Sequence, residues 1–143
     1  MNAFKPPYEI SIATTSEAEV LHNKLDKFNA DQLAFKGQME CLLDFIVKDH
    51  QSIIAGVRGC FYLEKCLFVN ILFVDEKYRH KKLGSLLLNK VETEAKVRGA
   101  TLAHLDTFDF QAKEFYHKQG YEVFGTLEDC PPGHTRYYMK KKL

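Results

Sequence analysis

An α/β sandwich built on a mixed central sheet is the fold class the sequence predicts. Two observations predict it. Cys66 to Val74 is an almost unbroken apolar run, as expected for a strand buried on both faces. A helical pattern opening at Gly84 and a second strand, Thr101 to Asp106, follow it. Strand, helix, strand at this spacing implies a parallel pair joined by a right-handed crossover. The strands on either side are separated by short polar turns, which suit antiparallel neighbours.

The elements can be justified in chain order. Tyr8 to Ala13 alternates enough for a first strand. Ser16-x-x-Glu19 reads as a capping box, and Val20, Leu21, Leu25 and Phe28 then recur at helical spacing. Phe35 to Glu40 reads as a short second helix or a loop. Leu42 to Val47 and Ser52 to Leu63 are strands, the second rich in Ile, Val and aromatic residues. Glu64-Lys65 is short enough for a hairpin turn into the Cys66 strand. The helix from Gly84 presents Leu87, Val91 and Ala95 on one face with Leu88 beside them, and Glu92 with Lys96 forms an i,i+4 pair on an outer face. Gly99 suits a left-handed C-terminal cap. Gln111 to Gln119 is a short helix ended by Gly120. Tyr121 to Thr126 and Thr135 to Lys140 are strands around the Pro131-Pro132-Gly133 loop.

Composition bounds what the chain does. Its 143 residues are one domain's worth, residues 1–143, and long enough to bury a core. Hydrophobic residues make up 45% and charged residues 27%, an ordinary globular balance. A net charge of +1 is too balanced to point to nucleic acid as a partner. No apolar run reaches membrane-span length, and Met1 to Pro7 lacks the apolar core of a signal peptide. Cys41, Cys60, Cys66 and Cys130 form no C-x-x-C pair and show no zinc-ligand spacing. The simplest expectation is a cytoplasmic protein with reduced thiols and no metal. Lys140-Lys141-Lys142 reads as a solvated tail.

The stretch from Phe73 to Leu88 carries the chemistry. A strand ends at Val74, a basic turn follows with Arg79, His80, Lys81 and Lys82, and Gly84 and Ser85 open a helix. The first turn of a helix has backbone N–H groups without internal partners, and the macrodipole adds positive character there. A phosphate or pyrophosphate fits such an end. Glycine lets backbone approach a ligand closely.

These residues carry a family resemblance. Arg79-x-x-Lys82-x-Gly84 resembles the Arg/Gln-x-x-Gly-x-Gly/Ala signature of the GNAT superfamily of N-acetyltransferases, with Lys82 in place of the first glycine. Ala112-x-x-Phe115-Tyr116-x-x-x-Gly120-Tyr121 is similar to that family's late helix motif. The closing run from Phe124 to His134 resembles a subset of small bacterial members. The resemblance is strong from about Cys66 onward. It implies a fold in which the fourth and fifth predicted strands, Cys66 to Val74 and Thr101 to Asp106, splay apart to admit acetyl-coenzyme A, with helices on both faces of the sheet. It implies that the loop Arg79, His80, Lys81, Lys82, Leu83, Gly84 and Ser85 holds the pyrophosphate. It further implies that the backbone of Leu72, Phe73 and Val74 binds the pantetheine arm, with Asp109 and Ala112 beside it. Asp109 stands where the family often has asparagine.

The expected reaction is acetyl transfer to a primary amine, from a small molecule or a peptide. In that family the tyrosine of the late helix often protonates the leaving thiolate, which makes Tyr116 the expected acid. Phe115 is expected to be plain core. Some members place a glutamate base on the fourth strand, where this chain has Phe68. Asp106 is then the best remaining carboxylate, with His104 on the same strand face and a water relay as the alternative. Asn70 could orient the amine, and Glu128, Asp129 and His134 flank a loop that could overhang the acceptor. Tyr121, Phe124, Tyr137 and Tyr138 could stack on an aromatic acceptor, although such residues more often fill a sheet face or a dimer contact. A competing reading is a coenzyme A-binding module without catalysis. The family often forms dimers, so a homodimer is a further expectation.

Overall fold

The computed structural model describes residues 8–33 and 40–143. The chain divides into two compact units, Met1–Lys36 and Gly37–Leu143.

In the first unit, α1 spans Thr15–Gln32. Thr14 is its N-cap: the hydroxyl accepts from the Glu17 amide at 3.2 Å, and the Glu17 carboxylate accepts from the Thr14 amide at 2.8 Å. The capping box therefore sits earlier than the Ser16 and Glu19 frame that the sequence suggested. The chain offers two overlapping Ser/Thr-x-x-Glu frames, and the box forms where the backbone is extended, at Thr14. Leu21, Leu25 and Phe28 lie within α1 at helical spacing. Residues 8–13 form no regular element, so the predicted first strand is absent. Alternation suits a half-buried strand, but a strand exists only beside a hydrogen-bonding neighbour. Every ladder in the sheet is formed among residues 40–142. The segment expected as a helix or loop from Phe35 lies outside the described residues up to Glu40, which opens the first strand. The Met1 to Pro7 reading also lies outside them.

The second unit holds a six-stranded mixed sheet in the order β1-β2-β3-β4-β6-β5. The strands are β1 Glu40–Asp49, β2 Ser52–Tyr62, β3 Cys66–Val74, β4 Leu102–Phe108, β5 Glu122–Leu127 and β6 Arg136–Lys142. Only β3 and β4 pair in parallel, through the crossover helix α2, Leu83–Val97. The last strand inserts between β4 and β5, pairing antiparallel with both. The hairpin turn between β2 and β3 holds Leu63 and Glu64 at φ of 49° and 63°.

One sheet face builds the core. Leu43, Ala55, Val57, Leu67, Val69, Ala103, Leu105 and Met139 are buried with Leu87, Leu88, Val91 and Ala95 of α2. A Cβ on Gly59 would lie 2.7 Å from Val91, so glycine there lets α2 seat directly on β2. Gly99, at φ 105°, ends α2 as expected. Contrary to the expectation of burial on both faces, β3 buries Leu67 and Val69 but exposes Ile71 and Phe73. The far half of β3 has lost its neighbour β4, as described below.

Glu92 is not on an outer face and does not pair with Lys96. Its side chain is buried, accepting from Lys141 Nζ at 2.7 Å and from the Tyr121 hydroxyl at 3.0 Å. Lys141 belongs to β6, so the tail lysine read as solvated is a structural ion-pair partner. The surface ladder of α2 runs instead through Lys90, Glu94 and Arg98, at 2.7 and 3.1 Å. An i,i+4 pair contributes only about 0.2–0.5 kcal/mol, so a partner from β6 easily outcompetes it. Among the described residues, no helix is long and apolar enough to cross a membrane. The four cysteines are free thiols.

Candidate active site

The site begins where two strands part. β3 and β4 are paired only from Cys66 opposite Leu102 to Phe68 opposite His104. Beyond that point β3 continues to Val74 and β4 to Phe108 without pairing to each other. The cause is local. The β2–β3 register jumps between Gly59 opposite Val69 and Arg58 opposite Ile71, leaving Asn70 as an extra residue. Such a bulge bends its strand and increases its twist. The Asp75 amide bonds the Ile54 carbonyl at 2.8 Å, and Phe73 sits opposite Gly56. By strand alternation the backbone groups of Phe73 face β2, whereas those of Leu72 and Val74 face the open edge. The Val74 carbonyl there accepts from Arg79 Nε at 3.2 Å.

The loop after β3 is held in shape at several points. The Asp75 carboxylate accepts from the Lys77 amide at 3.2 Å and caps a 3-10 turn, Glu76–Tyr78. The Tyr78 hydroxyl donates to Asp49, and Lys81 Nζ lies 5.5 Å from the Tyr78 ring. His80 and Lys82 are both left-handed, at φ 65° and 62°. Lys82 is the N-cap of α2 and supplies no side-chain cap; Leu83 follows as the first helical residue. The Leu86 amide bonds the Lys82 carbonyl at 3.0 Å, so the amides of Leu83, Gly84 and Ser85 precede the helical ladder. The first turn contains no acidic residue. Arg79, His80, Lys81 and Lys82 thus immediately precede a helix end whose first amides have no helical partner.

The conformation of Lys82 explains why glycine suits this position. An L-residue in the left-handed region costs roughly 1–2 kcal/mol. Lys82→Gly is expected to stabilise the protein by about 0.5–1 kcal/mol, the unfolded-state entropy of glycine offsetting part of the relief. A rise in Tm checks this, and an unchanged or lower Tm refutes it.

α3, Lys113–Lys118, forms the other wall. The Gln111 side-chain oxygen accepts from the Phe108 amide at 2.9 Å and the Thr107 hydroxyl at 3.2 Å, tying the strand end to the helix start. Ala112 is the α3 N-cap, and its amide points to the Thr107 hydroxyl at 3.4 Å. Gln119 donates to the Ser85 hydroxyl at 3.1 Å, joining α3 to the N-terminus of α2. Gly84 is needed for the same junction. A Cβ there would sit 3.3 Å from the Phe115 ring, so the missing side chain makes room for α3. Gly84→Val is therefore expected to displace α3 and lower stability, seen as a drop in Tm without donor present. An unchanged Tm would remove this packing role.

Tyr116 is buried in the core cluster with its ring edge-on to Phe115 and Tyr121. Burial, with a contribution from the charge of Asp106, pushes its phenol up to about 12. Its hydroxyl makes no hydrogen bond to another described residue. Among the described residues no fully sealed polar side-chain atom lacks a partner, so this hydroxyl is not completely sealed.

The remaining predicted site residues fall into two groups. Asp106 Oδ1 accepts from Arg136 Nη2 at 2.7 Å and Nε at 2.9 Å. Asp109 receives the Thr135 amide at 2.9 Å and lies 2.8 Å from His134 Nδ1, and these contacts, the amide foremost, hold its carboxyl below the usual range. Asp109 and His134, predicted for donor and acceptor respectively, thus clamp each other. Asn70 lines a cavity of about 250 Å³ with Glu40, Leu42, Asp44, Arg58, Cys60 and Phe68. Glu128 is exposed on the loop after β5. Asp129 Oδ1 accepts from the Gly133 amide at 3.3 Å within that loop. Tyr121 is core, whereas Phe124 and Tyr138 face each other at 6.4 Å.

Sequence reasoning missed Arg136, Gln111 and Gln119 as site-shaping residues. Arg136 pairs with Asp106 because β6 lies beside β4, with Asp106 opposite Tyr138. Nothing local signals that neighbour. For Gln111, a glutamine just before a helix and just after a strand was the available sign.

Comparison with known proteins places this arrangement. Residues 5–121 match the model of the acetyltransferase (GNAT) family. A blasticidin-S acetyltransferase of Streptomyces morookaense is 37% identical over 78 residues, which is 54% of this chain and 57% of that relative. The chain therefore spans little more than half the length of this curated relative. The crystal structure of an acetyltransferase from Bacillus cereus ATCC 14579 superposes with a TM-score of 0.83 at 36% identity, covering 95% of this chain and 98% of that one. A Bacillus anthracis structure, named provisionally as a streptothricin acetyltransferase and solved with acetyl coenzyme A, shares the fold: its TM-score is 0.63 at 20% identity, over 71% of this chain and 62% of that one. The splayed parallel pair and the basic helix end define an acyltransferase fold. The chain belongs to the GNAT acetyltransferase family.

Proposed function

We propose that this chain transfers the acetyl group of acetyl-coenzyme A to the primary amine of a small molecule. The observation that carries the reading is the open edge of β3 leading through the basic loop to the N-terminus of α2. The backbone groups of Leu72 and the Val74 amide, which face the open edge, suit an amide-bearing arm laid along the strand. The first-turn amides of α2, with Arg79, His80, Lys81 and Lys82, suit the pyrophosphate. A neighbour of the same fold holds acetyl coenzyme A.

The chemistry then follows from bond making and breaking. The amine nitrogen attacks the thioester carbonyl carbon, the carbon–sulfur bond breaks, and the sulfur leaves with the bonding pair. Tyr116 donates its phenolic proton to that sulfur, while the proton lost by the amine goes to a base. Asp106 is a weaker candidate for that base than its position suggests, because Arg136 already holds one of its oxygens. We assign Asp106 an electrostatic role beside Tyr116. Asn70, at the bulge beside the cleft, orients the amine, and the loop carrying Glu128 and His134 borders the acceptor.

Lys82 adds charge where the family has glycine. Lys82→Gly should retain donor binding but lower the dependence of affinity on salt, since one cationic contact is lost. Calorimetry across a salt series checks this, and an unchanged slope would place the ammonium in solvent. The function itself is tested by thiol release from acetyl-coenzyme A over a broad amine library that includes blasticidin S. Saturable amine-dependent release is expected, with mass spectrometry showing the acetylated amine. Donor binding without turnover on any amine would favour a binding module instead.

A further inference from the structure

The open end of β4 carries a column of planar side chains. Along this strand the core side takes Ala103, Leu105 and Thr107, so His104, Asp106 and Phe108 share the other face. His104, hydrogen-bonded to the Tyr62 hydroxyl, stands opposite Phe68 in the last β3–β4 pair before the strands part. Phe108 ends the strand four residues further on, about 13 Å of extended chain. One small molecule can span that length. The helix α2, whose first-turn amides suit the pyrophosphate, packs on the opposite, core face.

Arg136 Cζ lies 5.4 Å from the centre of the Tyr138 ring and 5.5 Å from that of Phe108. Phe108 in turn stacks on Phe110, with centroids 5.2 Å apart and planes 11° from parallel. The column ends there. Phe110 is 58% exposed, and the His134 ring stands nearly perpendicular to it at 4.9 Å. Its neighbours on this face already have cations: Phe108 and Tyr138 share Arg136, and Phe124 has Lys140 at 5.9 Å. Among the described residues none supplies a cation to Phe110.

A single exposed aromatic ring is ordinary on a protein surface. This one is held in place. The Gln111 amide bonds the Phe108 carbonyl at 2.9 Å, and the Gln111 side chain returns to the Phe108 amide at 2.9 Å. Asp109 exchanges bonds with Thr135 on the facing loop: its amide reaches the Thr135 carbonyl at 2.9 Å, and its Oδ2 accepts from the Thr135 amide at 2.9 Å. Asp109 Oδ1 lies 2.8 Å from His134 Nδ1, which fixes the ring that flanks Phe110. A surface ordered before the ligand arrives loses little conformational freedom on binding. We propose that Phe110 is a stacking platform for a planar ring of the acceptor, flanked by His134, so that the preferred amines carry an aromatic or heteroaromatic group. Phe110 is then a specificity-determining residue and takes no part in proton transfer.

The inference rests on the transferase reading, and two measurements separate their fates. The first needs no turnover. Tyramine and 4-(2-aminoethyl)cyclohexanol share an amine and a hydroxyl and differ in the planarity of the ring. Added at millimolar concentration to the folded protein, tyramine should shift the ring resonances of Phe110, assigned by their loss in Phe110→Leu, and the saturated amine should not. Resonances that neither amine moves, or that both move equally, overturn the proposal whether or not any amine is acetylated. The second uses an aromatic amine found by thiol release. Phe110→Ala should raise its KM by about 10-fold, with kcat and acetyl-coenzyme A affinity nearly unchanged, and Phe110→Tyr should keep the wild-type KM. A lower acetyl-coenzyme A affinity in Phe110→Ala would assign the ring to the donor's adenine and overturn the proposal. A screen in which only aliphatic amines are acetylated overturns it as well and leaves the transferase reading intact. If the wild type acetylates no amine, the transferase reading falls and the ring resonances alone decide whether Phe110 receives planar amines.

Discussion

Tyr116→Phe is expected to lower kcat and kcat/KM together by about 10²- to 10⁴-fold, with acetyl-coenzyme A affinity nearly intact. The ring packs against Phe115 and Tyr121, and phenylalanine preserves those contacts. Only the proton donor is lost. A raised phenol pKa means that the proton is held more firmly in the folded protein, and the donor is lost only as pH rises through about 12. No alkaline limb in kcat below pH 10, the ordinary phenol value, should therefore arise from Tyr116. Steady-state kinetics of the two proteins on one amine, with donor affinity from calorimetry, test the claim. Wild-type turnover in Tyr116→Phe would remove the hydroxyl from the mechanism. A fall in Tm with unchanged turnover would make it a structural tie.

Glu92→Ala is expected to be the most destabilising single substitution proposed, by about 3 kcal/mol. Glu92 is 6% exposed, and its carboxylate accepts from both Tyr121 and Lys141. Removing it leaves a buried hydroxyl and a largely covered ammonium without a partner. Lys141 keeps about a quarter of its side chain exposed, which holds the loss toward the low end for a broken buried pair. On a chain of this size the drop in Tm should be about 10 °C. Replacing the group as a whole distinguishes a lost pair from a lost shape. Glu92→Leu combined with Lys141→Met and Tyr121→Phe should recover most of the stability, because an apolar cluster needs no charge partner. A Glu92→Ala protein as stable as wild type would mean that Lys141 finds water at no cost.

Most of the second unit was legible along the chain. β3 was placed at its bounds, the α2 face of Leu87, Leu88, Val91 and Ala95 is the buried one, and Gly99 and Gly120 are left-handed as helix ends require. These features depend on periodicity and on local backbone preference, which a sequence carries directly. The misreadings have other causes. The Thr14 frame of the capping box was decided by local backbone conformation between two overlapping frames, whereas the missing strand at residues 8–13 and the inward turn of Glu92 each depended on which neighbour was available. Periodicity cannot report a neighbour that is distant in the chain.

The candidate site divides along the same line. The basic loop, the helix start within one residue (expected at Gly84, found at Leu83) and the position of Tyr116 on α3 were readable from the two motifs. Their reasons were not. Gly84 is small because Phe115 lies over it, and Lys82 occupies a glycine position because the backbone there is left-handed. Asp106 was found as a carboxylate at a strand end, but Arg136 claims it through the β4–β6 pairing.

By itself, then, the sequence determined the order and type of the elements from Glu40 onward, the basic strand–loop–helix, and the family. Those follow from short-range patterns of apolar, basic and glycine residues, within about one helix or strand. Only the tertiary structure decided that Asn70 bulges β3 and opens the cleft, that Glu92 is sealed beneath Lys141, and that His104 meets Tyr62 at its foot. Each of these joins residues 29 to 49 positions apart or shifts the register between two strands. Such contacts exist only once the sheet has chosen its strand order, because that choice sets which side chains face one another.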